Sequence, residues 1–443
     1  MRYEEAREYL NLISAKGNLL GLESIRVLLR ELGNPQDRLK FIHVGGTNGK
    51  GSVAAYMEGA LRQAGYKVGR YISPALFSYE ERIQVNGAYI TREAVARLAT
   101  EIAKARSAIA RRGEPESTIF EVETAMSFLY FLEQGCDLVL LEVGMGGRED
   151  ATNIVTATVM EVLVSISMDH MEFLGSTLAE IAWNKAGIIK KHTPVVSWPQ
   201  QPEALEVIRQ VCEKQEASLS VLREEEITDR VYGLREQKFS YRGLELTIHL
   251  AGTCQMENAA LAALALLTLR EQGYPVSDEQ IRSGFENTRW EGRFQILREN
   301  PAVVIDGAHN PDAARVLMEA VGKYFPHQKI YYIFGVFSDK EYDKIIEMTA
   351  PRAEWIYTVE TKDNPRALPA EELALAVSKV NPRVTAVADV PRALDAALER
   401  ASGEDVILVF GSLSFLWEAK QYFSGKSGDG QIKMKNRTDR SAL

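Results

Sequence analysis

Short apolar runs rich in β-branched residues alternate with longer stretches of helical period along most of the chain, the pattern of βα units around a mostly parallel sheet. Strands are predicted at Lys40 to Val44, Leu138 to Val143, Val155 to Ile166 and Thr193 to Trp198, and helices at Ser52 to Gly65, Thr91 to Arg111, Phe120 to Gln134 and Thr177 to Lys190. Residues 230–250 alternate in the other register, around Tyr241-Arg242-Gly243, and read as an antiparallel hairpin at a sheet edge. Met256 to Arg270 is a long Ala/Leu-rich stretch and reads as a buried helix. After Glu291-Gly292-Arg293 the alternation restarts. It runs from a strand at Ala302 to Ile305, through Lys329 to Val336, Trp355 to Val359 and Val384 to Val387, to a strand at Asp405 to Phe410. The helices between them are Pro311 to Tyr324, Glu341 to Thr349, Ala370 to Val380 and Pro391 to Ala401.

This places a first domain over 1–295 and a second α/β domain over 296–423, in keeping with a prior of ~150 residues per domain for a chain of 443. The polar, Gly-rich stretch 424–443 has no period and reads as a disordered tail. With 26% charged and 46% hydrophobic residues the chain has the composition of a folded protein. A net charge of -9 argues against a surface that tracks a nucleic-acid backbone or an anionic membrane. Any anionic ligand must be met by local cations, for which Lys50, Arg82, Arg148, Lys185 and Arg293 are candidates. Cys136, Cys212 and Cys254 are too scattered for a metal pair or a disulfide framework and read as thiols of a reducing cytoplasm. The opening MRYEEAREYLNLIS has helical spacing with interleaved acids, unlike a signal peptide, and no apolar run approaches the ~18 residues of a membrane span.

The chemistry concentrates at His43-Val44-Gly45-Gly46-Thr47-Asn48-Gly49-Lys50-Gly51-Ser52, between an apolar strand and a helix. Glycines let backbone N-H groups turn toward phosphate oxygens, the helix N-terminus adds a favourable dipole, and Lys50 adds charge. The spacing departs from the ordinary Walker pattern, since Gly51 separates Lys50 from Ser52 and Val44 stands at a glycine position.

This loop resembles the ATP loop of the Mur ligase superfamily, and the ordered blocks around it resemble folylpolyglutamate synthase/dihydrofolate synthase. They include Leu32-Gly33-Asn34-Pro35, Ser73-Pro74, Glu81-Arg82-Ile83, Leu141 to Arg148, Asp150-Ala151-Thr152-Asn153, Asp169-His170 and Lys185-Ala186-Gly187-Ile188. Beyond them come Glu291 to Phe294, Asp306 to Pro311, Pro365 to Leu368 and Gly411-Ser412-Leu413. Ala75, where the family commonly has His, and Glu149, where an apolar residue is usual, depart from the pattern.

The resemblance implies an N-terminal P-loop ATPase-type domain with a mostly parallel sheet and a smaller C-terminal Rossmann-like domain. It implies ATP-driven amide formation in which a substrate carboxylate becomes an acyl phosphate and L-glutamate displaces the phosphate. Phosphoryl transfer needs charge neutralisation and alignment more than covalent help, so ATP is expected with one or two Mg²⁺ ions. Lys50, Lys185 and His170 are implied as catalytic. Thr47, Asn48, Gly49, Lys50, Gly51, Ser52, Asn258, Arg293, Asp306 and His309 are implied for ATP, and Ser73, Glu142 and His170 for metal. Glu142 closes an otherwise apolar strand, where its charge emerges at a carboxyl edge. His170 taken alone is an ordinary loop histidine, and only the resemblance gives it a role. Lys185 reads by pattern as a snorkelling surface lysine, whereas the family often carbamylates the lysine at this position.

Arg82, Arg366 and Ser412 are the substrate candidates. Asp363-Asn364-Pro365-Arg366 also resembles the amino-acid motif of the ligase that adds diaminopimelate to a muramyl dipeptide, and Arg366 is equally readable as a turn arginine after Pro365. The expected partners are small molecules, folate or dihydropteroate and L-glutamate, with no nucleic acid and no membrane, and the expected enzyme is a cytoplasmic monomer. Two other readings are kept: a ligase acting on a UDP-muramyl peptide, disfavoured because only about 45 residues precede the loop, and a nucleotide-binding regulator with an inactive site.

Overall fold

The strands predicted near Lys40, Leu138 and Val155 are neighbours in one sheet of the computed structural model, which describes residues 1–14, 21–362 and 364–426. That sheet has the order Ala88–Tyr89, Ile83–Val85, Val68–Tyr71, Leu138–Glu142, Phe41–Gly45, Thr158–Leu163, Val195–Ser197, Leu219–Val221. Pairing is parallel from Val68–Tyr71 onward and antiparallel among the first three. Both faces are covered, as parallel sheets require. Phe41, Tyr71, Val139 and Leu141 pack with the helices Tyr3–Ser14, Glu23–Glu31, Arg92–Arg111 and Ile119–Gln134. The alternate residues Ile42 and Leu140, also fully buried, point the other way. The helix Gln255–Glu271, buried on every face as its composition predicts, packs against the helix Lys50–Gln63 and the strands Thr158–Leu163 and Val195–Ser197.

The hairpin around Tyr241-Arg242-Gly243 is real, but it does not extend an edge of the large sheet. Gln237–Tyr241 and Leu244–Ile248 pair antiparallel and, with Ile227–Val231, form a separate three-stranded sheet. The strand expected from Val155 begins only at Thr158, because Ala151–Ile154 forms a 3-10 turn capped by Asp150.

The second sheet has the order Gln295–Glu299, Ala302–Ile305, Val406–Phe410, Ile330–Phe334, Trp355–Thr358, Val384–Ala386, parallel except for the first pair. The chain divides into two compact units. The first comprises Met1–Val231, Gln237–His249 and Gln255–Arg289, and the second Tyr232–Glu236, Leu250–Cys254 and Trp290 onward. The division falls a few residues before the expected 295/296, and two short segments of the earlier chain join the second unit. Residues 424–426 close the helix Leu416–Lys426, and the remainder of the expected tail lies outside the described residues. None of the described helices is long and apolar enough to cross a membrane.

Candidate active site

Four adjacent parallel strands of the large sheet end side by side and deliver Ser73, Glu142, the loop 46–49 and the segment 165–170 in that order. The chain leaves Phe41–Gly45 toward one side of the sheet and returns to its other side with Thr158–Leu163, so this is a topological switch point, where open α/β sheets bind ligands.

The loop is fastened by its own hydrogen bonds. Thr47 N donates to Ser165 O at 2.7 Å and Ser165 Oγ to Asn48 O at 3.1 Å. Thr47 Oγ1 donates to Ser167 O at 3.2 Å and accepts from Ser167 N at 3.1 Å. Gly46 has φ +132°, and a Cβ there would collide with Val164 and stand 2.9 Å from its carbonyl oxygen, so the close approach requires glycine. Asn258 Oδ1 fills the space where a Cβ on Gly49 would stand, 2.7 Å away. Gln255 Nε2 lies 3.5 Å from the buried Ser52 hydroxyl, and Gly51 is buried beside it in the first turn of the helix Lys50–Gln63.

Two lysines meet at this loop. Lys50 Nζ donates to Gly46 O at 3.3 Å and Thr47 O at 3.1 Å and lies 4.0 Å from Glu142 Oε1. Lys185 Nζ donates to Gly46 O at 3.0 Å from the helix Leu178–Ala186. Lys185 is 3% exposed, which corrects the snorkelling reading: its helix turns this face toward the loop. Burial, and then the charge of Lys50, push its amine down to about 7 against the pull of Asp169 and Asp150. His170 sits at φ +52°, its N-H donating to Asp169 Oδ1 at 2.9 Å and its Nε2 lying 4.0 Å from Asp169 Oδ2.

Beneath the loop runs a buried chain of polar groups that the sequence did not single out as functional. Asp150 accepts from Met145 N at 2.8 Å, Thr152 N at 3.0 Å and the Thr152 hydroxyl at 2.5 Å. Thr152 has then spent its only hydroxyl proton, so His43 Nε2 donates to Thr152 Oγ1 at 2.9 Å. Burial, assisted by Lys190, pushes His43 down to about 3, which keeps it in this neutral tautomer. Asp150-Ala151-Thr152-Asn153 was visible as a block; its connection to His43, 109 residues away, was not.

In the second unit the same rule operates. The carboxyl ends of the neighbouring strands Ala302–Ile305, Val406–Phe410, Ile330–Phe334 and Trp355–Thr358 deliver Asp306 with His309, then Ser412, then the segment 335–340, then residues 359–362 and 364–366. Asp306 accepts from Phe294 N and Ala308 N, each at 2.8 Å. Its burial raises its pKa, against the lowering effects of Arg293 and those two N-H groups. His309 Nδ1 donates to Gly307 O at 2.7 Å. Arg293 and Asp306 are therefore neighbours. Ser412 is buried and its hydroxyl accepts from Ser414 N at 3.2 Å, a cap of the following turn. Arg366 is half exposed and grips Asp339 with two hydrogen bonds, from Nε at 3.1 Å and Nη2 at 2.6 Å. Arg82 is paired with the buried Glu123 at 3.2 Å.

The Mur ligase middle domain matches residues 44–266 and the Mur ligase glutamate ligase domain matches residues 292–413. The dihydrofolate synthase/folylpolyglutamate synthase of Bacillus subtilis is 35% identical over 428 residues, covering 95% of this chain and 98% of that protein. Among solved structures, Mycobacterium tuberculosis folylpolyglutamate synthase complexed with ADP and AMPPCP superposes with a TM-score of 0.86 at 29% identity, covering 98% of this chain and all of that one. Escherichia coli FolC in complex with DHPP and ADP superposes with a TM-score of 0.84 at 32% identity, covering 96% and 99%.

Proposed function

The chain belongs to the dihydrofolate synthase/folylpolyglutamate synthase family of Mur ligases, and from that premise we propose that it joins L-glutamate to a folate, and to dihydropteroate, through an acyl phosphate. The observation that carries this reading is the fastened loop 46–49 with Lys50 and Lys185 at the switch point of the sheet. In the first step a substrate carboxylate oxygen attacks the γ-phosphorus of ATP and ADP leaves. In the second the glutamate amine attacks the acyl carbon, phosphate leaves and the amine gives up a proton.

Lys50 supplies charge where phosphate oxygens lie, and the preset loop avoids reorganisation during transfer. Glu142 and the Ser73 hydroxyl are hard oxygen donors at the ends of adjoining strands, with Ser52 assigned to the phosphates, and they fit Mg²⁺, which takes few protein ligands and keeps water and phosphate on its remaining positions. Such an ion, when bound, neutralises and aligns the phosphates. His170 is the candidate at a second ion. Lys185 suits carbamylation, since an amine pushed down to about 7 is substantially neutral at neutral pH, the form that reacts with CO₂. Enzyme prepared with ¹³C-bicarbonate should then show a carbamate carbon signal that Lys185→Ala lacks.

Asn258, Arg293, Asp306 and His309 are assigned to the nucleotide. Arg366 and Ser412 are assigned to glutamate, and Arg82 to the folate side. The reading carries with it a cytoplasmic monomer. Phosphate release is the test, measured with ATP, glutamate and each of tetrahydrofolate, dihydropteroate and a UDP-muramyl peptide. Glutamate-dependent release with the first two supports the proposal, whereas release with the muramyl peptide alone, or with none, overturns it.

A further inference from the structure

The segments 335–340 and 364–368 are tied together at the carboxyl edge of the second sheet. Ser338 N and Ser338 Oγ donate to Arg366 O at 2.8 and 3.1 Å, and Leu368 N donates to Val336 O at 3.1 Å. Arg366 N donates to Asn364 Oδ1 at 3.0 Å, so the backbone that carries this arginine is fixed from both sides. Its side chain is not buried with it. The guanidinium lies over the Phe337 ring, 4.8 Å from the centroid, and stays 51% exposed.

Planar, rigid and always charged, such a group is the usual receiver of a carboxylate in a two-bond fork. Here the fork is taken by Asp339, with Nε to Oδ1 at 3.1 Å and Nη2 to Oδ2 at 2.6 Å. Asp339 is itself 35% exposed, so its carboxylate can return to water at small cost when another takes its place. An aspartate needed only to support the loop would be superfluous to the three backbone-directed bonds already made by Ser338 and Asn364.

We infer that Asp339 is an internal stand-in for the substrate carboxylate: it occupies the Arg366 fork in the resting enzyme and competes with incoming L-glutamate for it. The inference rests on the reading that Arg366 receives glutamate. Asp339 acts through Arg366 and sets the apparent affinity for the amino acid, leaving the phosphoryl transfer chemistry alone. Displacing an exposed ion pair weakens glutamate binding by a factor of about two to five, the factor to which such a pair corresponds.

Steady-state kinetics with saturating ATP and folate, varying L-glutamate, test it in the full-length enzyme. In Asp339→Asn, and likewise in Asp339→Ala, the KM for glutamate should fall about two- to five-fold, with kcat and the KM for ATP unchanged. Arg366→Lys should raise the KM for glutamate, and adding Asp339→Asn to it should bring no further fall. A KM for glutamate that rises or stays constant in both Asp339 variants, while Arg366→Lys still raises it, overturns the competition and leaves Arg366 as the receiver. An unchanged KM in Arg366→Lys removes the receiver and the competition together.

Discussion

Two sheet edges in this chain obey one topological rule and are built to different standards. The edge of the large sheet is locked in advance: loop 46–49 is held by Ser165 and Ser167, two lysines converge on the Gly46 carbonyl, and Glu142 is nearly out of solvent. The edge of the second sheet combines a partly buried Asp306 with an Arg366 that is half exposed and paired to an exposed partner. Phosphates carry concentrated charge that rewards fixed dipoles and low solvent exposure. An amino acid that must enter and be consumed at every turn is better met by a group that water can reach. The comparison teaches that placement at a carboxyl edge tells where a ligand goes, while burial and prior hydrogen bonding tell how tightly its chemistry is controlled.

If the comparison is right, substitutions at the first edge damage turnover and those at the second that face the amino acid damage KM. The largest effect is expected from Lys50→Ala, a fall in kcat of about 10² to 10³, the magnitude for loss of one preorganised charge-stabilising donor, read by phosphate release at saturating substrates. Lys185→Ala should cost about 10- to 100-fold in kcat, as for groups that support a catalytic metal site, with the KM for glutamate little changed. Arg293→Ala should also act mainly on kcat, by up to about 100-fold through misalignment; an unaltered kcat would remove it from the nucleotide's partners. Arg366→Lys should raise the KM for glutamate about ten-fold with kcat preserved, since lysine cannot reproduce the fork.

The smallest effect concerns stability beneath the first edge. Burial pushes Glu161 up to about 8, and its Oε2 has no hydrogen-bond partner among the described residues. Between pH 4.5 and 8 the folded state holds more protons than the unfolded one, so the contribution of this group to stability falls as pH rises through that window. Glu161→Gln should therefore melt like the parent at pH 5 and higher than it at pH 9; equal melting temperatures at both would contradict the assignment.

Much of this was legible in sequence, for identifiable reasons. The strands at Ala302, Trp355 and Val406 are short apolar runs, buried apart from the partly exposed Ala302 and Trp355, and the helices between them have clean amphipathic period, so pattern alone located them within a few residues. Val68–Tyr71 escaped because it carries Arg70, buried with an ion pair to Glu58 at 2.9 Å and a hydrogen bond to Gln84 at 2.5 Å, and no hydropathy pattern anticipates partners on other elements. The Gly-rich loop 46–49 was visible because its residues are contiguous. The Asp150, Thr152 and His43 chain and the Asp339 to Arg366 fork join residues far apart in sequence, each of a type that is ordinarily unremarkable, and only the fold brings them together. The burial of Lys185 was hidden for a related reason, since a helix with one lysine among apolar residues looks the same whether that face meets water or a loop.

The central claim is that the carboxylate of the acceptor substrate is phosphorylated at the first edge before glutamate attacks. Supplying tetrahydrofolate or dihydropteroate with ¹⁸O in the reacting carboxylate, together with ATP and glutamate, and weighing the released phosphate by mass spectrometry tests this directly. The account predicts one ¹⁸O atom transferred into each phosphate, and phosphate released without label would contradict it.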